Sequence, residues 1–406
     1  MATSWPKPMR GEKALPTAAP VAQCSSRSIF IFFGLTLKFD ENLIFRILKV
    51  LLFASILVNL YGIYQLVARA LDLPGGWIAL NNASLLAREG EITADVEVKQ
   101  LALQFKDFYR ATSIFSEPSA LVNYNLHNLI YLSLPFITKT KKVFESKFLN
   151  ILIFTLILIN LFLTFSLTAI IGLSLLIFIS MFLENKKLLK LYFKIFIFSA
   201  IVLAISDYII QDIVGLSVLN LIGERVYTVL NYLLFGENEL VSGESLTWRL
   251  QVIFESFKVW AKSPILGVGA GLFSQNSEIA HFSDNSFLAL LAESGIASAL
   301  TFLAFFIAIF YHSIKLRRDK SLIKTSIQSS IINMIPYIMA VQFETNFLTA
   351  NSYNTVSFAV PIFFILNIIS SVYINNNQGY IVKFLKVPMS ERFKNNITHY
   401  LKTKSI

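Results

Sequence analysis

Residues 248–273 read W-R-L-Q-V-I-F-E-S-F-K-V-W-A-K-S-P-I-L-G-V-G-A-G-L-F, and residues 284–295 read D-N-S-F-L-A-L-L-A-E-S-G. The first stretch has helical periodicity and then reaches several glycines, so it predicts an amphipathic helix that ends in a turn. The second stretch begins with polar residues and continues into a long apolar run, which predicts a helix that enters an apolar environment. The rest of the chain is organised around these two stretches.

The first predicted helix divides into an apolar and a polar face. The apolar face is predicted to carry Leu250, Ile253, Phe254, Phe257 and Trp260. The polar face is predicted to carry Gln251, Glu255, Lys258 and Lys262. Arg249 lies at the edge of the apolar face, so we expect an anionic group to hold its side chain. The alternative is an arginine that snorkels from a helix on the membrane surface.

The composition is that of an integral membrane protein. Of 406 residues, 55% are hydrophobic and 15% are charged, and the mean hydropathy is +0.62. Apolar runs of about twenty residues, the length that crosses a bilayer, recur along the chain. The predicted spans lie at roughly 43–66, 120–138, 149–165, 167–184, 191–211, 286–311, 325–343 and 354–374. The predicted fold is therefore an all-α, polytopic transmembrane helical bundle of about eight spans.

These spans divide the chain into three parts. Residues 1–28 are rich in Pro, Ala, Ser and basic residues, so we expect a disordered N-terminal segment. Residues 29–374 form the transmembrane domain, and residues 375–406 form a basic cytoplasmic tail. Clusters of Lys and Arg follow the second, fourth, sixth and eighth spans, which places those segments in the cytoplasm. Two long loops, about 67–119 and 212–285, then face outward and contain the amphipathic segments.

Several kinds of site are not expected. The net charge of +10 does not indicate nucleic-acid binding, because the basic residues lie between spans and beside no base-reading motif. A single cysteine, Cys24, excludes an intramolecular disulfide and a cysteine-based metal site. The four histidines lack zinc-binding spacing, so no metal is expected. The glycine-rich turn at 267–271 lacks the Lys-Ser/Thr pair of a nucleotide loop, so no nucleotide cofactor is expected.

A second amphipathic segment lies in the first outer loop. Its apolar stripe consists of Val98, Leu101, Phe105 and Phe108. It continues into R-A-T-S-I-F-S-E-P-S at residues 110–119, immediately before the second span. Pro118 disfavours a helical backbone at Glu117. We therefore expect residues 110–117 to form a loop close to the membrane surface, where Arg110 serves either a site or ordinary interface anchoring.

Polar residues gather where the sixth span begins. His281, Asp284 and Asn285 are predicted to form an acceptor and base cluster, although Asp284 is equally suited to cap the helix. Glu293 lies about 13 Å deeper by helical rise. An ionisable residue at that depth either serves function or pairs with another helix.

Two further predicted spans contain polar residues. Glu344 and Asn346 lie near the outer end of the seventh span, and Asp207 lies in the fifth. Such residues are costly in a bilayer, so the same two interpretations apply to them.

Three stretches resemble signature motifs of the O-antigen ligase and polymerase family, polytopic bacterial enzymes that polymerise or transfer lipid-linked polysaccharides. The first is the arginine motif of residues 110–119, before a span. The second is residues 249–273, with the Pro-x-x-Gly-Val-Gly-x-Gly-x-Phe turn. The third is residues 284–295, with the Asn-x-Phe-Leu and Glu-x-Gly sequences. Each motif is weak alone, but together and in this order they are specific.

The resemblance implies metal-independent, inverting glycosyl transfer from a glycan on undecaprenyl diphosphate, without a cofactor. Arg110 and Arg249 would bind the diphosphate, because a guanidinium group is a bidentate partner for phosphate oxygens. They would also neutralise the charge that develops on the leaving diphosphate. Glu117 would contribute to substrate binding in the same outer loop as Arg110.

The third motif would supply the general base. Asp284, with His281 nearby, would deprotonate the acceptor sugar hydroxyl, and Asn285 and Glu293 would bind substrate. The family's ligases usually have a histidine where this chain has Asp284, and this departure favours a polymerase. The family usually has further N-terminal spans, whereas residues 1–28 resemble none of them, so we expect a truncated or misassigned start.

The leading hypothesis is a polymerase that elongates O-antigen, capsule or exopolysaccharide at the outer face of the bacterial inner membrane. The nearest alternative is a ligase that transfers the finished glycan to lipid A core or to a protein. A transporter or flippase of lipid-linked sugars is a third class, but the chain has no internal repeat or matched broken helices. Expected partners are membrane lipids, a chain-length regulator and a flippase.

Overall fold

The computed structural model describes residues 41–80, 98–99, 104–105, 108–184, 244–279, 285–319, 325–349 and 356–375, together with Ser283, Ser321, Ile323 and scattered residues from 197 to 227. The predicted disordered segment 1–28 and nearly all of the predicted tail lie outside these residues. The fifth predicted span, 191–211, is described only in part.

The described apolar runs form helices. The helices are α1 (Glu41–Ala70), α2 (Pro118–Ile137), α3 (Lys147–Leu163), α4 (Leu167–Leu183), α5 (Glu244–Lys262), α6 (Phe273–Asn276), α7 (Ser286–Arg318), α8 (Ser326–Phe343) and α9 (Val356–Asn375), and a π-helix (Glu344–Thr349) continues α8. All of the predicted spans except the fifth coincide with one of these helices. The mostly helical class is therefore confirmed.

Two of the described helices, α1 and α7, are long and apolar enough to cross a membrane. Their most apolar windows have a mean hydropathy of 2.2 and 2.0. Shorter apolar stretches lie in α3, α4 and α9. The count of about eight spans stays a prediction.

The second amphipathic segment is not helical where the structure describes it. Two-residue strands pair in antiparallel fashion: β1 (Ala79–Leu80) with β2 (Val98–Lys99), and β3 (Gln104–Phe105) with β4 (Phe108–Tyr109). Aromatic and β-branched residues favour such pairing over a short isolated helix. The apolar stripe of this segment therefore does not lie on a helix at these residues.

The main core lies between α1, α2, α3, α4, α7, α8 and α9. Polar side chains help to join α1, α2 and α3 inside this core. The amides of Asn59 and Asn125 exchange two hydrogen bonds of 3.0 and 2.9 Å. Asn160 donates to the carbonyl oxygen of Asn59 at 2.9 Å, and its side chain packs against Gly62. Hydrogen bonds between buried amides are a common means of fixing neighbouring helices in a membrane.

Candidate functional site

Helix α5, which carries Arg249, buries a face that only partly matches the predicted one. Ile253 and Trp260 of the predicted apolar face are half-buried and pack against a buried cluster on α7. The buried residues of α5 include Val252, Glu255, Ser256 and Val259. Phe254 and Phe257 are 67% and 44% exposed. The valines and the serine are small enough for close approach to α7, so the aromatic side chains turn outward. The predicted division into faces is therefore wrong at Glu255, Phe254 and Phe257.

Glu255 is buried because donors surround its carboxylate. Its Oε1 accepts hydrogen bonds from the backbone N–H of Glu278 at 2.7 Å and from the Ser277 hydroxyl at 3.3 Å. Its Oε2 lies 3.4 Å from the ammonium of Lys258. Burial alone would raise the pKa of Glu255, but these donors outweigh it, and the pKa lies below its usual value. Glu255 is therefore a charged clamp on residues 277–278.

Two further side chains of α5 hold the same loop. Lys262 Nζ donates to the carbonyl oxygen of Asn276 at 2.5 Å. Ser256 Oγ donates to Ser283 Oγ at 3.1 Å. The loop that leads to Asp284 is thus fastened along α5. Arg249 lies seven residues before Ser256, which places it on the same face of the helix.

The two central residues of the predicted base cluster, His281 and Asp284, lie outside the described residues. Of Arg249, the structure describes the helical backbone only. The structure brings Ser256 of the Arg249 helix into contact with Ser283, the neighbour of Asp284. The roles assigned to these three residues stay predictions.

The glycine-rich turn and the Glu-x-Gly sequence form one backbone joint, here called the glycine joint and consisting of residues 264–269 and 292–296. The N–H of Val268 donates to the carbonyl oxygen of Ala292 at 2.9 Å, and the N–H of Gly269 donates to that of Glu293 at 2.9 Å. In return, the N–H of Ile296 donates to the carbonyl oxygen of Pro264 at 3.0 Å. The second and third motifs are therefore two halves of one structure.

Glycine is required on both sides of this joint. Gly295 has φ 76° and ψ −179°, which interrupts α7 and frees the carbonyl groups that the turn uses. A Cβ atom at Gly295 would lie 2.0 Å from the carbonyl oxygen of Ile265. A Cβ atom at Gly267, where φ is 71°, would lie 2.3 Å from the carbonyl carbon of Glu293. The turn predicted after the amphipathic helix is thus confirmed, and hydrogen bonds to α7 fix it.

Two of the predicted substrate-binding residues lie immediately before α7 and at its break. Asn285 is 5% exposed and caps the helix, its Oδ1 accepting from the N–H of Leu288 at 2.7 Å. The cap is therefore Asn285 and not Asp284, the residue suggested for it on sequence. Glu293 is half-buried and lies at the break of α7, where its carbonyl group belongs to the glycine joint.

Arg110 is buried at the ends of α1 and α3. It is 7% exposed, and its Nε donates to the carbonyl oxygen of Thr164 at 2.8 Å. The next residues are also fixed: the N–H of Ala111 donates to the carbonyl oxygen of Leu163 at 3.0 Å, and Gln65 Nε2 donates to that of Ser113 at 3.0 Å. The predicted loop is present, but residues 110–113 are buried between helix ends.

Arg69 is a residue that the sequence analysis missed. Its Nη1 donates to the carbonyl oxygen of Arg110 at 2.7 Å, and its Nη2 donates to Thr112 Oγ1 at 2.8 Å. Its Nε donates to the carbonyl oxygen of Gly76 at 2.7 Å, and its guanidinium lies 4.3 Å from the Trp77 ring centroid. One signal in the sequence could have identified Arg69. The residue lies at the end of α1 that is predicted to face outward, whereas Lys and Arg are usually concentrated on the cytoplasmic side.

Glu117 precedes α2 and has an extended backbone, with φ −137° and ψ 152°. This conformation is the one that Pro118 imposes on the preceding residue, so the non-helical backbone predicted at Glu117 is confirmed. The substrate-binding role of Glu117 stays a prediction. The Ser119 hydroxyl donates to Glu117 Oε2 at 3.2 Å. The first motif therefore leads directly into α2.

A buried network connects α2 with the end of α8. His127 Nε2 and Gln342 Nε2 lie 3.1 Å apart, and His127 Nδ1 lies 2.7 Å from the carbonyl oxygen of Asn123. Thr345 Oγ1 donates to Asn123 Oδ1 at 3.0 Å. The described residues thus place the first motif's helix against the π-helix, which in turn contacts α7.

Comparison with known proteins supports the family that the three motifs resemble. Residues 152–303 match the family described as O-antigen ligase, a range that contains the second and third motifs but not the first. No curated protein matches the chain. In the described part of the chain, no three His, Cys, Asp or Glu side chains lie together so as to hold a metal ion. The match supports the family indicated by the motifs, and residues 152–303 are similar to an O-antigen ligase family domain.

Proposed function

We propose that this protein is a membrane glycosyltransferase that polymerises undecaprenyl-diphosphate-linked oligosaccharide repeat units at the outer face of the bacterial inner membrane. The observation that carries the proposal is the fastening of the second motif to the third. The glycine joint and the Glu255 and Ser256 contacts hold the helix of Arg249 against the loop of Asp284. A diphosphate-binding cation and a base beside each other suit transfer from a lipid-diphosphate donor.

The reaction transfers one glycan in a single displacement. The acceptor hydroxyl oxygen attacks the anomeric carbon of the donor, and the bond from that carbon to the diphosphate oxygen breaks. The hydroxyl proton passes to the Asp284 carboxylate, and undecaprenyl diphosphate leaves. Arg249 and Arg110 stabilise the negative charge that grows on the leaving group. Attack opposite the leaving group inverts the anomeric centre, and the arginines supply the charge neutralisation that a metal provides elsewhere.

Arg110 is suited to this role by its surroundings. The hydrogen bond from its Nε to Thr164 fixes the orientation of the guanidinium plane. Arg69 holds the backbone of the same residue. A guanidinium oriented before the donor binds loses less rotational freedom when it contacts a diphosphate.

A ligase that transfers the glycan to lipid A core or to a protein is the second candidate, because the matched family is described as O-antigen ligase. The two candidates share the donor and differ in the acceptor. Asp284 stands where the family's ligases usually have a histidine, and this difference favours the polymerase.

The test is reconstitution of the full chain with a lipid-linked repeat unit, with and without lipid A core as acceptor. Arg110→Ala, Arg249→Ala and Asp284→Ala are each expected to lose turnover by at least about 100-fold, as removal of a transition-state partner commonly does. Arg46→Ala is the matched control, because Arg46 is an exposed arginine near the start of α1 and lies outside the three motifs. Growth of the lipid-linked glycan in the absence of lipid A core indicates a polymerase, and transfer of the glycan only to that core indicates a ligase. Full turnover in Arg249→Ala would refute the diphosphate role.

A further inference from the structure

The end of α8 has an unusual backbone. Residues 344–349 form a π-helix that directly continues the α-helix. Such segments are rare and occur frequently at functional sites, because the extra residue per turn redirects the side chains. This segment lies outside the residues that match the family and outside the three motifs.

The first residues of the π-helix are polar and buried. Glu344 and Asn346 are fully buried, and Thr345 is 4% exposed. Burial of polar groups among apolar helices costs free energy unless each group finds partners. The hydrogen-bond partners of this segment lie on two neighbouring helices, so they show which helices the segment connects.

One set of partners leads to the third motif. The Ser286 hydroxyl donates to Asn346 Oδ1 at 2.7 Å, and both residues are fully buried. Asn346 is itself held by α8, since its Nδ2 donates to the carbonyl oxygen of Gln342 at 2.8 Å. Ser286 is the first residue of α7 and follows Asp284 by two positions. Asn346 thus contacts the helix start that follows the predicted base in the sequence.

The other set of partners leads to the first motif. Thr345 bonds to Asn123 and Gln342 lies against His127, both on the helix that begins after Glu117. The π-helix is therefore the described structure that bridges α2 and the start of α7.

Aromatic packing supports the same junction. The Phe347 ring stacks on Phe343 and Phe287, with centroids 4.5 and 5.2 Å apart. These contacts keep the π-helix docked on α7 when a single polar side chain is removed. Loss of the Asn346 side chain is thus expected to shift the start of α7 relative to the π-helix while the bundle remains folded.

We infer that Asn346 is a positioning residue, which sets the place of the Asp284–Asn285 sequence through its hydrogen bond with Ser286. This inference rests on the proposed function for its effect on turnover. The contact fixes the first turn of α7 to α8 and, through Asn123 and Thr345, to the helix of the first motif. A displacement of about 1 Å at a reacting group can reduce a rate by about 100-fold.

The test compares Ser286→Ala, Asn346→Ala and the double variant in the reconstituted full chain. Each single variant is expected to lose about 10- to 100-fold in kcat, with KM for the lipid-linked donor changed less than about threefold. The double variant is expected to lose no more than the worse single variant, because both substitutions break one contact. Ser313→Ala is the matched control: Ser313 is a fully buried serine on α7 that bonds to Phe310 within its own helix.

A second measurement is independent of turnover. The Leu288 N–H is held by the cap Asn285, so a displaced helix start should speed hydrogen exchange at Leu288 in both single variants and not in Ser313→Ala. If hydrogen exchange at Leu288 is faster in both single variants but the wild-type protein transfers no glycan, the positioning role is upheld and the proposed function is refuted. Unchanged exchange, unchanged kcat or additive losses in the double variant would overturn the inference.

Discussion

Gly295→Ala tests the glycine joint, because a continuous helix predicts that the substitution stabilises the protein and the joint predicts that it destabilises the protein. In an ordinary helix, replacement of glycine by alanine stabilises the protein by about 1 kcal/mol. At Gly295, φ is 76° and ψ is −179°, a conformation that is essentially restricted to glycine. The substitution therefore destabilises the protein if the structure is right.

The magnitude follows from the geometry. The backbone conformation alone costs about 1–3 kcal/mol with a side chain present. The new Cβ would lie 2.0 Å from the carbonyl oxygen of Ile265 and 2.8 Å from the backbone nitrogen of Gly267, so the two halves of the joint must separate. Separation loses the hydrogen bonds of the joint, each worth about 1 kcal/mol. The expected loss of stability is about 3–6 kcal/mol at the joint.

Hydrogen exchange at the three donor amides, Val268, Gly269 and Ile296, measures this loss directly. Gly295→Ala should speed their exchange strongly, whereas amides of α2 and α8 should keep their protection. Gly223→Ala is the matched control, because the Cβ that it would add meets no atom within 4 Å apart from its chain neighbours and its own helix backbone. Unchanged protection at the three amides, or a higher melting temperature, would refute the joint.

Two further predictions concern single side chains. Arg69→Lys keeps the charge but loses the planar guanidinium that bonds to Gly76, Arg110 and Thr112. The free energy of unfolding should therefore fall by about 1–3 kcal/mol in thermal unfolding, and turnover should fall because Arg110 is displaced. An unchanged melting temperature would contradict this. Glu255 has a lowered pKa, so its stabilising charge is present at neutral pH and is lost as the pH falls below its usual value of 4.5, through the folded-state pKa. Glu255→Gln should remove this acid-dependent step in unfolding, and an identical pH profile in the variant would contradict the clamp.

The positions of the helices were predictable from the sequence. Apolar runs of bilayer length mark α1 and α7, and the proline after Glu117 marks the start of α2. The motifs also identified the family, because their residues and order are local features of the chain. These predictions depend on nearby residues, which a single sequence displays.

The buried face of α5 was not predictable in the same way. Hydropathy distinguishes apolar from polar residues, but it does not distinguish a side chain that faces lipid from one that faces protein. Phe254 is more hydrophobic than Ser256, yet Ser256 is buried and Phe254 is 67% exposed. Glu255 is buried because its carboxylate meets the N–H of Glu278, a partner supplied by the fold.

The contacts that assemble the candidate site are long-range in sequence. Ser286 and Asn346 are 60 residues apart, and Arg69 and Arg110 are 41 residues apart. The glycines of the joint were visible as a turn, but their partner carbonyl groups appear only when α7 breaks at Gly295. Backbone pairing of this kind leaves no periodic pattern in either stretch.

The central claim is that Arg110 and Arg249 serve one diphosphate. The direct measurement is the affinity of purified Arg110→Ala, Arg249→Ala and Arg46→Ala proteins for undecaprenyl diphosphate. The Arg110 and Arg249 variants should each bind at least about tenfold more weakly, because a charge-assisted hydrogen bond contributes about 1.5–3 kcal/mol. The variant of Arg46, which is exposed near the start of α1, should bind as the wild type does. Wild-type affinity in the Arg110 or the Arg249 variant would contradict the account.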